Sequence, residues 1–244
     1  CIDAVGLDVG LDNPQFACLE VDTAPFDSEP LRSPAFPHAR AAERLLTIYE
    51  LDLGLNTVSR KRCEAVEAGA HALLALPGAG VLVCADNWVA YRCLAPVAAS
   101  AAASASAASQ QQQQQRPPLR ALLPRRADMP PTRGLMVCAH AVFSSPAALL
   151  VLLQSEAGDL YRVLLDRDAS GAVVGLRVRY LDTIAPAASL CVTRNGMIFA
   201  ASEFGDHRLL AGQRFLAALQ FQPDALHLQI DVGLAVASAH LRGF

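Results

Sequence analysis

Apolar residues along this 244-residue chain come in short runs rather than in helical stripes. Leu149 to Leu153 is one such run, Met197 to Ala201 another, and Val81 to Ala85 a third. At about five residues each they are too short for helices and suit strands buried on both faces. A recurring frame follows them. Ser155-Glu156-Ala157-Gly158-Asp159 leads into Leu160 to Leu165, and Ser202-Glu203-Phe204-Gly205-Asp206 leads into His207 to Leu210, 47 residues later. Glycine closes such a hairpin because it reaches positive φ without steric cost. A weaker copy turns at Asp86-Asn87 and continues through Trp88 to Tyr91. A unit of 40-odd residues made of short strands is the signature of a β-propeller blade.

The pattern predicts an all-β, partial β-propeller of about three to four blades of four-stranded antiparallel sheets, carrying a disordered insertion. The blades span roughly 1-63, 70-133, 134-181 and 186-211, with a low-complexity insertion at 95-131 and a tail at 212-244 of undetermined structure. In the first blade the strands fall at Ile2–Asp8, Phe16–Val21, Leu45–Leu51 and Thr57–Arg62, with a Pro-rich excursion at Ala24–Ala42. The second begins at Ala72–Leu76, turns at Pro77 to Gly80, and continues through Val81–Ala85 and Trp88–Arg92. Leu135–Ala139, Leu149–Gln154, Leu160–Leu165 and Val173–Tyr180 make the third, its last strand alternating as an outer strand with one wet face should. The fourth runs through Ser189–Thr193, a turn at Asn195-Gly196, Met197–Ala201 and His207–Ala211, with no outer strand evident. Because blades stack face to face, their inner strands are expected to be continuously apolar. Arg214 to Leu219 is compatible with a helix, and the rest of the tail has no clear element.

Composition changes this picture in one respect. Alanine numbers 45, and the 20 basic residues are arginine except Lys61, so alanine-driven helix propensity carries little weight here. Ala95 to Pro131 joins an Ala/Ser tract to six glutamines (Gln110–Gln115) and an Arg/Pro segment; it has too little large apolar surface to repay ordering. With 53% apolar and 18% charged residues, the rest has ample core material. No membrane-length apolar run or secretory signal is present, so no membrane contact is expected. Seven cysteines without a C-x-x-C spacing, four of them (Cys18, Cys84, Cys138, Cys191) inside apolar runs, read as reduced core thiols of a cytosolic or nuclear protein. The absent initiator Met and the incomplete ring suggest a piece of something longer. Such an arc leaves blade faces open, and the chain alone is expected to aggregate or bind hydrophobic dyes.

Charge is uneven. Residues 1–52 hold ten acids against three arginines, whereas 53–133 hold nine bases against four acids. Arg116, Arg120, Arg125, Arg126 and Arg133 cluster among prolines, a segment suited to phosphates or an acidic partner but more often a solvated loop. The turn acids Glu156, Asp159, Glu203 and Asp206 read as exposed hairpin residues. Asp166-x-Asp168-x-Ser170-Gly171 imitates half a calcium loop, but Arg177 stands where the bidentate Glu belongs, so a polar turn is the better reading. Gly78-x-Gly80 lacks a third glycine and a following helix, and Cys138-x-His140 lacks a second ligand pair. No nucleophile elbow or triad is visible. A small propeller enzyme would need titratable groups on the inner strands, which offer Leu, Val and Ala instead. Catalytic, cofactor-binding and metal residues are therefore expected to be none, and nucleic-acid-binding residues are unassigned.

Longer ordered stretches point to a family. Val5 through Glu20, Tyr49-Glu50-Leu51-Asp52-Leu53-Gly54-Leu55-Asn56, Arg179 through Thr183, and Phe199 through His207 closely resemble the large propeller subunit of splicing factor 3b. The family extends, less closely, to the large subunit of damaged-DNA-binding protein and a cleavage and polyadenylation factor subunit. The resemblance spans residues 2–210 and falls within the first of three propellers. It implies a nuclear, non-enzymatic scaffold without cofactors, bound to other splicing factor 3b subunits within the U2 small nuclear ribonucleoprotein and meeting nucleic acid mostly indirectly. It would help hold the subunits that recognise the branch site. An adaptor of a cullin ubiquitin ligase or a polyadenylation-factor scaffold is the alternative within the same family. The Pro-rich excursion, the Ala/Gln insertion and the tail depart from the family pattern.

Overall fold

Among the residues described by a computed structural model of the chain, fifteen strands form four antiparallel sheets. Those residues are 1–7, 13–21, 44–67, 69–78, 80–94, 118–130, 132–144, 149–169, 171–193, 197–202, 205 and 207–210. The Pro-rich excursion, the Gln tract, the Asn195-Gly196 turn, the segment 214–219 and the whole tail 212–244 lie outside these residues.

Each sheet is a meander in chain order, as a blade requires. The first contains β1 (Asp3–Leu7), β2 (Gln15–Val21), β3 (Arg44–Asp52) and β4 (Thr57–Val66). β5 (Ala72–Leu76), β6 (Gly80–Ala85), β7 (Trp88–Cys93) and β8 (Leu119–Leu122) make the second. The third holds β9 (Val137–Ser144), β10 (Leu149–Ser155), β11 (Asp159–Arg167) and β12 (Val173–Thr183). The fourth has three described strands, β13 (Ser189–Val192), β14 (Ile198–Ala201) and β15 (Arg208–Leu210).

Three details differ from the sequence reading. First, β8 lies inside the stretch 95–131 expected to be insertion, and pairs with β7 from Tyr91↔Leu119 to Trp88↔Leu122. Four residues of period-two pattern behind prolines are too short a signal to separate from a low-complexity tract. Second, continuous burial falls on two of the second strands, every residue of β6 and Leu150 to Ser155 of β10, whereas β2 and β14 are buried only in part. The innermost strand β9 instead alternates, burying Val137, Ala139 and Ala141 and exposing Cys138 and His140 between them. Third, that alternation overturns the reading of Cys138 and Cys191 as core thiols, since both are exposed. Cys84, on the doubly covered β6, is buried, and burial pushes its thiol up to about 12.

The chain divides into two compact units. One comprises Cys1–Leu123, Ala127–Met136 and Leu165–Arg177; the other comprises Pro124–Arg126, Val137–Leu164 and Val178–Phe244. In the first unit, Leu7, Leu19, Leu46 and Ile48 of the first sheet meet Leu73, Val81 and Val83 of the second in one core cluster. The Asp3 carboxylate also accepts the Leu73 N–H at 2.7 Å, tying β1 to β5. In the second unit, Leu150, Leu152 and Leu160 of the third sheet pack with Leu190 and Ile198 of the fourth. Ile184 and Ala187, from the connection between those sheets, belong to the same cluster. Each fully buried leucine contributes about 2 kcal/mol by area.

Candidate functional site

Hairpins between second and third strands concentrate the polar chemistry of both units, because the chain leaving each outer strand docks there. In the second sheet Asn87 occupies a left-handed conformation (φ 71°), which asparagine tolerates better than most residues. That geometry turns its carbonyl toward the residue after β8, and the Leu123 N–H donates to it at 2.8 Å. The same asparagine then grips the chain further on. Its N–H donates to the Leu135 carbonyl and its Oδ1 accepts the Leu135 N–H, both at 3.0 Å.

The third sheet reaches a similar arrangement with different residues. Gly158 (φ 86°) takes the left-handed position, and its carbonyl accepts the Ile184 N–H at 3.0 Å. Only glycine fits, because a Cβ there would collide with the Ile184 carbonyl. Gln154, fully buried at the end of β10, supplies the second grip. Its side-chain amide donates to the Ala185 carbonyl (3.1 Å), and its Oε1 accepts the Ala187 N–H (2.9 Å). A polar side chain ending an otherwise apolar strand was the sequence signal for this role, and the residue-by-residue reading missed it.

Asp159 corrects another expectation. Instead of lying exposed in the turn, it opens β11 and is fully buried. One carboxylate oxygen accepts the Thr183 hydroxyl at 2.6 Å and stands 3.3 Å from the Arg126 guanidinium; the other faces the Tyr161 hydroxyl at 3.5 Å. A buried carboxylate needs such partners, since an uncompensated charge there costs several kcal/mol. The adjacent Tyr161 hydroxyl is pushed up to about 12, chiefly by burial and further by the Asp159 charge. Glu156 is half-buried, while Glu203 and Asp206 fall outside the described residues.

The basic cluster disperses. Arg126 serves Asp159, as above, and also donates to the Thr183 hydroxyl. Arg120 pairs with Glu67 and lies 4.9 Å from the Trp88 ring centroid, a cation–π contact. Arg92 completes that ion network against Glu64 (3.3 Å) and Glu67 (3.6 Å). Arg133 is exposed, and Arg116 lies outside the described residues. Arg120 and Arg126 are thus each engaged within the chain.

Remaining motifs take structural roles. Both Asp166 oxygens are engaged by Arg177, at 3.0 and 2.5 Å, and Asp168 closes its own turn by accepting the Ala172 N–H. Gly78 (φ 87°) makes the β5–β6 turn, and Gly80 lies beneath the Tyr91 ring, where a Cβ would clash. Cys138 and His140 share the exposed face of β9. Among the described residues no three His, Cys, Asp or Glu side chains come together as a metal site.

What the geometry offers, among the described residues, is a set of β-sheets fastened by buried polar groups. The model of the RSE1/DDB1/CPSF1 first beta-propeller matches residues 2–223. The chain belongs to this family. It is 39% identical over 229 residues to Spliceosome-associated protein 130 A of Arabidopsis thaliana, covering 92% of this chain and 16% of that protein. Splicing factor 3B subunit 3 of Drosophila melanogaster is 36% identical over 212 residues, covering 84% of this chain and 15% of the relative. Pre-mRNA-splicing factor RSE1 of Pyricularia oryzae is 36% identical over 222 residues, with 84% and 16% covered. The chain thus spans about a sixth of the length of these splicing relatives. Its four antiparallel sheets are the blades of a partial first propeller of this family.

Proposed function

We propose that this chain acts in pre-mRNA splicing as a non-enzymatic protein–protein scaffold in the nucleus. In this reading it is a portion of the large propeller subunit of the splicing factor 3b complex, within the U2 small nuclear ribonucleoprotein. Its blades present surfaces to other subunits and so support branch-site recognition, with nucleic acid met mostly through those partners. The observation that carries the reading is the 39% identity, over 92% of the chain, to a spliceosome-associated protein. The site geometry is compatible: Asp159, Gln154 and Asn87, the polar groups a catalyst would need free, are each engaged in holding the chain.

Affinity purification of the tagged chain from cells that express it tests this directly. Co-purification of splicing factor 3b subunits with U2 RNA is the expected result. Recovery of a cullin, or of cleavage and polyadenylation subunits, in their place would move the chain to the other branches of its family.

A further inference from the structure

Four large apolar side chains among the described residues are more than half exposed: Leu53 (62%), Leu55 (74%), Val58 (66%) and Leu122 (75%). Three of the four fall within six residues, at the hairpin between β3 and β4. Exposed leucines scattered singly need no explanation, whereas a cluster on one tip marks an interaction surface.

The tip is built to hold its shape. Asp52 Oδ1 accepts the N–H groups of Gly54 and Leu55, both at 2.9 Å. Asn56 takes a left-handed conformation (φ 51°), which asparagine tolerates. A second loop braces the hairpin: the Leu53 N–H donates to Asn13 Oδ1 at 3.3 Å, and the Leu51 N–H to the Pro14 carbonyl at 3.0 Å. Polar groups thus fix the backbone and leave three aliphatic side chains in water. A preorganised tip of this kind loses little conformational freedom when a partner covers it.

Charge sets the partner's chemistry. Val58 pairs with Leu51 and Arg60 with Tyr49, so Val58 and Arg60 follow one another on one face of the first sheet. Lys61 and Arg62 pair with Glu50 and Glu64, but Arg60 is exposed and makes no ion pair with a described residue. Residues 53–61 are all exposed, and they present an aliphatic end with a basic flank. The Asp52 carboxylate beside the tip disfavours an anionic lipid surface, so a protein groove is the better fit.

We propose that the β3–β4 hairpin is a docking knob for a protein partner, with Leu53, Leu55 and Val58 entering an apolar groove and Arg60 meeting an acidic side chain on its rim. This deepens the scaffold reading and rests on it for the partner being a protein; it adds which surface is used and what chemistry receives it.

Photo-crosslinking in cells that express the tagged chain decides it. A photoreactive phenylalanine analogue at position 55 should form an adduct with a peptide of another protein, apolar and flanked by Asp or Glu. Arg60→Glu or Leu53→Ser should lower the adduct yield about tenfold or more. Reversing the acidic residue of that peptide to lysine should restore the adduct to the Arg60→Glu chain, a rescue that a misfolded variant would not show. An adduct with lipid, with a second copy of the chain or with a peptide lacking acidic residues overturns the proposal. So does a yield indifferent to Arg60→Glu, or no adduct at position 55. Splicing factor 3b subunits that still co-purify in that event leave the scaffold reading standing. An acidic-groove adduct from a cullin or polyadenylation complex would instead sink that reading and keep the knob.

Discussion

The second and third sheets fasten the outgoing chain in nearly the same place with almost no shared chemistry. Both put a left-handed residue in the middle hairpin, and both use its carbonyl to hold the first N–H after the outer strand. In the second sheet a single Asn87 supplies turn, carbonyl and side-chain grip. In the third these tasks fall to Gly158 and Gln154, and a buried carboxylate, Asp159, is added. The backbone arrangement is what recurs, because strand geometry requires the connection to cross the sheet end at that point. The side chains vary because several donor and acceptor sets satisfy the same buried backbone groups.

Substitutions can break this comparison, and the third sheet should suffer most. Asp159→Ala removes the buried carboxylate that pairs with Arg126 and accepts the Thr183 hydroxyl; about 4 kcal/mol should be lost in denaturant unfolding of the unit containing residue 159. A loss below about 1 kcal/mol would mean the carboxylate is not paired as described. Gly158→Ala adds a collision with the Ile184 carbonyl to the strain of positive φ, and is expected to cost about 3 kcal/mol. The control is Gly171→Ala, also left-handed (φ 83°) but with no described atom within 4 Å of an added Cβ, which should cost only about 1 kcal/mol. Equal losses at the two glycines would remove the docking role assigned to Gly158.

A milder contrast separates Asn87→Gly from Asn87→Ala. Glycine keeps the left-handed turn and loses only the side-chain bond to Leu135, at about 1 kcal/mol; alanine loses both and should cost about 2 kcal/mol by thermal melting.

Alkaline pH sharpens the comparison further. Cys84 is held near 12 against 9.0 for a free thiol, and Tyr91 and Tyr161 near 12 against 10.0, each chiefly by burial. The folded chain therefore keeps protons that the unfolded chain releases. These groups contribute fully below the unfolded values, and their contribution is lost as pH rises toward 12. The unit with Cys84 and Tyr91 should begin weakening above pH 9; in the other unit desolvation also raises the Cys138 thiol from 9.0, so weakening begins there as well, and Tyr161 adds to it above pH 10. Stability followed by tryptophan and tyrosine spectra should therefore fall progressively from pH 9 to 12, and a flat profile across that range would count against the desolvation of these groups.

Much of this was legible without coordinates. The 47-residue frame gave four blades, and the short apolar runs gave the middle strands nearly to the residue. The outer strand β8 was not legible, since Leu119 to Leu122 borders a tract whose composition says nothing about pairing. Asp159 was misplaced because a turn acid next to glycine has the same sequence signature whether it faces water or a half-buried arginine 33 residues away. Gln154 was overlooked because one polar residue after five apolar ones does not announce that two backbone groups of a distant connection need it.

Sequence alone determined what is local: where the chain alternates and where it turns. It also determined family membership, because ordered runs such as Phe199 through His207 are long enough to be recognised as they stand. Tertiary structure decided which polar groups end up buried together, and hence that Arg126 and Arg120 fasten the fold. The reason is physical: burial and pairing depend on contacts between residues far apart in the chain, and neither period nor composition encodes which distant partner arrives.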